Sequence, residues 1–210
     1  MHGQWRFAVM ILGALLVAGA VWTWLPPDDA TQSATKDAIA RFETARGLVW
    51  PEDSYGETTL PAKVQGELEE RRHRELMTLA EGAALEDALE EDAVGDLHRS
   101  VKVRGGRLTV ARRTEVVYYD FRRRTPRGEL LVRAAYDIIV TTGRWDAEKG
   151  EMTRIVEDDP SDWCQLFDYT LKQYGNAWRV VAKKAVSGPH GESTYFYNPS
   201  TGEFTQDTGA

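Results

Sequence analysis

From Phe7 to Leu25 the chain reads FAVMILGALLVAGAVWTWL, without a single charged residue. At 1.5 Å per residue, a helix of about nineteen residues is just long enough to cross the hydrocarbon layer of a bilayer. Trp22 and Trp24 fall where interfacial aromatics gather, Arg6 and the free amino terminus precede the run, and Pro26, Pro27, Asp28 and Asp29 follow it. The positive flank is expected to stay in the cytoplasm, which makes residues 1–6 a cytoplasmic tail, 7–25 an anchor, and everything after Pro27 extracytoplasmic. The same N-terminus also has the form of a secretory signal, with Ala18-Gly19-Ala20 as a small-x-small cleavage site and Val21 as the mature start. The uncut anchor is favoured because the run reaches spanning length only when Val21 to Leu25 are included. Both readings export the remainder.

Roughly 185 residues follow the anchor, the length of one ordinary domain with a real core. Composition is globular, at 42% hydrophobic and 10% aromatic against 28% charged. Cys164 is the chain's one cysteine, so an exported domain here is held by its core rather than by an internal disulfide. The formal net charge of -7 excludes nucleic acid as the expected partner. Charge is also unevenly placed. Glu86, Asp87, Glu90, Glu91, Asp92 and Asp96 crowd one segment, whereas Arg99 to Arg133 holds eleven Lys or Arg against Glu115, Asp120 and Glu129. The simplest reading is two solvated faces that attract each other.

Taken in order, Ala34, Ala38, Ile39, Phe42 and Ala45 recur at helical spacing between Asp28 and Arg46, with Gly47 as the stop. Gly47 to Leu60 has the turn formers of a loop but also Leu48, Val49, Trp50 and Tyr55, which predict that it packs. Pro61 opens a second helix to Glu81, with Val64, Leu68, Leu76 and Leu79 on one side and ERRHRE across the other. Ala84, Leu85, Ala88 and Leu89 predict a third, short helix ending at Gly95.

From Val101 the period changes to 2, which predicts sheet. Leu108 to Phe121 is strand-rich, RRRTPRG turns the chain, and Leu130, Val132, Ala134, Tyr136, Ile138 and Val140 form one buried face of the return strand. Arg133 and Asp137 then face the other way, beside Leu131 and Ile139. Gly143 to Glu151 reads as a loop or hairpin tip, and Asp159-Pro160-Ser161-Asp162 as a turn. A hairpin closes the sheet: Trp163, Phe167, Tyr169 and Leu171 share a face, Gly175-Asn176 turns, and Trp178, Val180, Ala182 and Val186 line the partner strand. Thr194 to Phe204 predicts one more short hairpin around Asn198 to Gly202, and Thr205 to Ala210 a frayed end.

Helices followed by an antiparallel meander predict an α+β domain over 28–187, with two to three helices on one face of a curved sheet, and a C-terminal hairpin and tail over 188–210. The helix carrying Ala38 and Phe42, the Trp50-Pro51 loop, the helix from Pro61 and the hairpin FDYTLKQYGNAWRVVA resemble the cone-shaped, cystatin-like fold of the nuclear-transport-factor-2-like superfamily. The likeness is to its single-pass membrane branch, which includes scaffold components of conjugation and type IV secretion machinery and lipid-import accessory proteins. It covers Asp28 to Val186. The resemblance implies a docking or scaffold module in an envelope-spanning assembly, with membrane lipid, other envelope proteins and a homo-oligomer as partners. The tail YFYNPSTGEF resembles the middle turn of a WW domain but lacks the flanking tryptophans, and is read only as a turn.

Enzymes of that superfamily use an acidic base opposite Tyr or protonated Asp donors, for which Asp137, Asp168, Tyr118 and Tyr136 are the candidates. Strand alternation sets Tyr136 and Asp137 on opposite faces, which argues against a catalytic constellation. His2, His73, His98 and His190 lack paired zinc spacing, and Glu157, Asp158, Asp159 and Asp162 lack the glycine and ligand spacing of a calcium loop. No cofactor motif is present: Gly105-Gly106 stands alone, and no nucleophile elbow occurs. The most distinctive exposed feature is the basic turn holding Arg122, Arg123, Arg124 and Arg127. Its guanidinium groups suit anionic headgroups, an anionic wall polymer or a carboxylate-rich partner.

Overall fold

The computed structural model describes residues 23–157, 161–187 and 194–207. Most of the expected anchor, the candidate cleavage site, His2, His190 and the Asp158 to Pro160 part of the acidic turn lie outside the described residues. Among the described residues no helix is long and apolar enough to cross a membrane. The described residues form an α+β architecture, with four α-helices on an antiparallel sheet.

The helices are α1 (Asp29–Ala45), α2 (Ala62–Leu79), α3 (Gly82–Glu90) and α4 (Ala93–Val103). Asp28 caps α1 by accepting the Thr31 amide at 2.8 Å. The third helix does not run to Gly95 as its pattern suggests. It stops at Glu90, and Asp92 caps a separate α4 by accepting the Gly95 amide at 2.9 Å. Gly95 fits there because a Cβ would collide with the Asp92 carboxylate. Helix therefore persists to Val103, beyond the expected onset of sheet at Val101.

The strands are β1 (Leu108–Arg124), β2 (Leu130–Asp146), β3 (Glu151–Glu157), β4 (Cys164–Tyr174), β5 (Ala177–Ala185), β6 (Thr194–Tyr197) and β7 (Phe204–Asp207). Their order is β1-β2-β4-β6-β7, with β3 also paired to β2 and β5 to β4. Gly143 to Asp146 extends β2, so only the tip of the expected loop is a turn. The β4–β5 turn falls at Gly175, where φ is 58°. Thr205 to Asp207 is not frayed but pairs with β6.

The main core lies between α1, α2, α3 and the inner sheet face, and it buries Ile39, Phe42, Leu76, Leu130, Val132 and Leu171 among others. Full burial of such a side chain contributes about 1.5–3 kcal/mol. A second cluster sits under the packed loop, where Trp50 meets Leu60, Leu68, Leu97 and Leu108. The Trp50 indole donates to the Ser54 carbonyl at 2.7 Å, so its polar edge is satisfied although the ring is buried. A third cluster lies on the outer sheet face, where Ala135, Cys164, Leu166 and Val186 pack with Tyr118, Tyr195 and Tyr197. Val186 therefore belongs to the outer core, and Trp163 precedes β4 and is exposed.

Three register shifts interrupt β1, between Thr109 and Ala111, Val116 and Tyr118, and Phe121 and Arg123. A bulge bends its strand and moves the next residues to the other face. Tyr119 and Phe121 thereby reach the inner core, while Tyr118 packs outside. Between Thr170 and Leu171 of β4 the register of β5 shifts from Ala182 to Val180. Beyond that bulge it is Lys183, not Ala182, that reaches the aromatic residues of the inner face.

The ERRHRE run of α2 is not wholly solvated, since Arg72 is only 2% exposed. Its Nε donates to the Arg46 carbonyl at 2.9 Å, an Nη donates to the Ala88 carbonyl, and the other Nη reaches Glu69 at 3.2 Å. These carbonyls belong to the ends of α1 and α3, where intrahelical partners run out. Replacing Arg72 by Met fills the volume but orphans both. It should cost about 2–3 kcal/mol in urea unfolding, whereas Arg74→Met on the exposed side should stay within about 0.5 kcal/mol.

Candidate functional site

The most concentrated polar chemistry of the described residues converges on Glu43, four residues beyond Ile39 on the inner stripe of α1. Its side chain is 2% exposed. The Tyr169 hydroxyl of β4 donates to it at 2.8 Å, Arg46 at 2.6 Å, and the Lys183 ammonium of β5 at 2.9 Å. Lys183 also donates to the Tyr136 hydroxyl of β2 at 2.8 Å and lies 4.0 Å from the centre of the Phe167 ring. Arg46 extends the network to Glu91, just beyond α3, whose other oxygen is 3.7 Å from Arg72.

Burial shifts these groups. The Lys183 ammonium is pushed down to about 8, first by desolvation and then by the charge of Arg46, against the opposing pull of Glu43. Desolvation and then the negative charge of Glu43 push the Tyr136 and Tyr169 hydroxyls up. Burial works against the charge of Arg46, but Glu91 and Glu43 outweigh it and hold the guanidinium charged.

Beside this cluster a cavity of about 290 Å³ opens between the end of α1, α4 and the sheet. Its lining is mixed: Arg46, Arg104 and Arg112 face it with Glu43, Glu91 and Asp96, beside Tyr136, Ser100 and Thr109 and the apolar Leu48, Leu97, Ile138 and Val140. Arg112 donates to the Glu43 carbonyl at 3.2 Å, but its Nε is buried without a hydrogen-bond partner among the described residues. Gly47 leaves room for that guanidinium, since a Cβ there would overlap it. Burial lowers the Arg112 pKa.

Of the catalytic candidates, Tyr136 alone lies in the inner cluster. Asp168 is held on the outer face by the Arg133 guanidinium at 2.8 and 2.9 Å, and buried Asp137 accepts the Ser161 amide at 3.2 Å. Tyr118 packs outside, tilted against Tyr197 and edge-on to Phe204. These four residues do not converge. The Cys164 thiol is buried and pushed up to about 11 by desolvation and then by Asp137, the state of a packing residue rather than a nucleophile. Among the described residues no three His, Cys, Asp or Glu side chains group as a metal site.

The basic turn joins β1 to β2. Thr125 and Glu129 close it, with the Thr125 hydroxyl and the Glu129 carboxylate 3.1 Å apart. Arg122 pairs with Asp120 at 3.1 Å, while Arg123 and Arg127 are exposed. The acidic segment meets the basic third of the chain at Arg99, its first residue, which binds Asp92 and Asp96, while Glu91 binds Arg46 at the end of the first helix.

Sequence reasoning missed Glu43, Arg46, Arg72, Arg112 and Lys183. A signal existed for Glu43, which continues the Thr35, Ile39 step of four. None existed for Lys183, because the bulge reverses its expected face. No protein-family model, curated protein or solved structure gives a significant match to the chain.

Lys183 supplies a pH test. With its folded pKa depressed to about 8 and an unfolded value of ~10.4, the folded state binds fewer protons than the unfolded state between those values. The burial penalty is complete below about pH 8 and is relieved as pH rises. The raised pKa values of Cys164 and the tyrosines act in the opposite sense, so wild type should be compared with Lys183→Met. The stability difference should change in favour of wild type by about 1.4 kcal/mol per pH unit from ~8 toward ~10, measured by denaturant unfolding.

Proposed function

We propose that this chain is a single-pass membrane protein whose exported domain is built on the cone-shaped plan of the nuclear-transport-factor-2-like superfamily. That domain serves as a docking or scaffold module of an envelope-spanning assembly. The observation that carries the reading is the state of Glu43. Among the described residues, the one deeply buried carboxylate on the inner face is occupied by Tyr169, Arg46 and Lys183, which makes it a structural hub rather than a base waiting for substrate. The bulged, curved β1 and the helices gathered on one sheet face support the cone plan, and the uncharged Phe7 to Leu25 run supports the anchor.

The test places photo-crosslinking residues over the exposed surface of the full-length protein in its native membranes. The expected result is discrete adducts with particular membrane proteins, clustered on one face, and an intact mass that retains Met1 to Ala20 apart from loss of Met1. A mature species starting at Val21 with no adducts overturns the proposal.

One observation favours a second reading, an exported small-molecule-binding protein: the cavity lined by Arg112, whose Nε has no hydrogen-bond partner among the described residues, and by an apolar wall. The carboxylates that also line it are already paired, Glu43 and Glu91 with Arg46 and Asp96 with Arg99, so Arg112 and the wall suit a carboxylate with a short apolar tail. Short-chain carboxylates at ~100 times their Kd should then stabilise the full chain by about 2.7 kcal/mol, and Arg112→Met should abolish the effect. The absence of a thermal shift across a series of such acids removes this reading.

A further inference from the structure

The helix α1 runs along β1 in the opposite sense. Its last turn meets Arg112 through the Glu43 carbonyl, and its middle meets Tyr119, whose hydroxyl lies 2.8 Å from the Thr35 hydroxyl. Continuing toward its first residue leads to the Arg124 end of β1. The Asp28 carboxyl is held below the usual carboxylate range, first by its hydrogen bonds to Thr31 and in smaller part by the charge of Arg124. The basic β1–β2 turn and the point where the chain enters the domain therefore share one end of the molecule.

The connection at that end is short and fixed. Pro27 is buried, and its carbonyl accepts from the Gln32 side chain at 3.0 Å. Only Pro26, Pro27 and Asp28 separate Leu25 from α1, a reach of about 10 Å even when fully extended. Trp24 and Leu25 are 67% and 53% exposed, so the domain does not cover the end of the apolar run. With that run in a bilayer, the start of α1 lies within about one Debye length of the headgroups, ~8 Å at physiological salt.

We propose that the β1–β2 turn is a lipid-headgroup contact, in which Arg123 and Arg127 bind anionic phospholipid and hold the domain upright on the membrane. The proposal rests on the anchor reading above and adds to it a second, electrostatic attachment. Asp120 is neutralised by Arg122, whereas Asp28, which caps α1, Glu129, which closes the turn with Thr125, and Asp29 at the start of α1 still carry formal charge. These three carboxylates stand against Arg123, Arg124 and Arg127, so the attraction is local to the exposed tip of the turn, where Arg123 and Arg127 can each bind a phosphate in bidentate fashion. Docking points this end of the sheet at the bilayer and the opposite end, with the Arg112 cavity, away from it.

The test uses the full chain carrying Pro126→Cys, labelled on the turn with an environment-sensitive fluorophore, while buried Cys164 stays unlabelled. It is reconstituted into phosphatidylcholine vesicles with or without about one-third phosphatidylglycerol, each containing a headgroup-quencher lipid. An alkaline carbonate wash reports separately on the anchor. The expected result is a chain retained in the vesicles whose label is quenched more strongly on the anionic lipid. High salt and Arg123→Glu/Arg127→Glu should remove the difference, with about a fivefold change in the docked population per arginine. Lys63→Glu/Arg74→Glu, an equal charge change on α2, should leave it intact. Equal quenching in both lipids by a retained chain overturns the headgroup contact and leaves the anchor standing. Loss of the chain in the wash overturns the anchor, and the contact with it.

Discussion

The carboxylate of Glu43 is the interaction on which the domain's arrangement depends. It receives donors from α1, β4 and β5, and through Lys183 it is linked to β2, so a single anion ties the first helix to three strands. In a low-dielectric interior such a network specifies its geometry strongly, because an unpaired member is far more costly than in water. Lys183 is held against aromatic faces on one side and Glu43 on the other, which offset only part of the cost of burying its charge. Arg72 and Arg112 serve the same end of α1 differently, by donating to carbonyls of its last turn and beyond.

Bulges determine what reaches that interior. Each one lets a strand change which residues it turns inward, and together they give the sheet two unlike faces. The inner face carries the large core and the Glu43 network. The outer face carries a smaller core, completed by the β6–β7 hairpin, and the Arg133–Asp168 pair. The strand ends differ as well: one end presents the basic turn beside the start of α1, the other the cavity beside its C-terminus. A docking role and a binding role would thus use opposite ends of one scaffold.

Much of this was legible in the sequence because it is local. The α1 stripe, the core face of β2 from Leu130 to Tyr136, the Gly175 turn and the packed Trp50 loop all follow from period, turn chemistry or side-chain size, whereas Ile138 and Val140, expected on the same buried face, line the cavity instead of joining that core. The division of α3 from α4 was less visible, since the Asp92 cap and Gly95 resemble a helix end as readily as a helix start. The apolar N-terminal run and the basic turn are likewise properties of sequence alone, for hydrophobicity and charge need no partner to be read.

Which charges lie inside was decided only by the tertiary structure. Tyr169 and Lys183 are 126 and 140 residues away from Glu43, and no local pattern ties them to it. A charged side chain is buried only where distant elements bring its partners into place, and a one-residue bulge reverses the face on which it stands. The sequence by itself determined most of the helices, strands and turns, because those depend on the backbone and its near neighbours, while α4, β3 and the paired end of the chain at β7 became visible only in the structure. The meeting of Glu43, Arg46, Tyr136, Tyr169 and Lys183, and the place of the basic turn beside the start of α1, depend on contacts made across the whole chain.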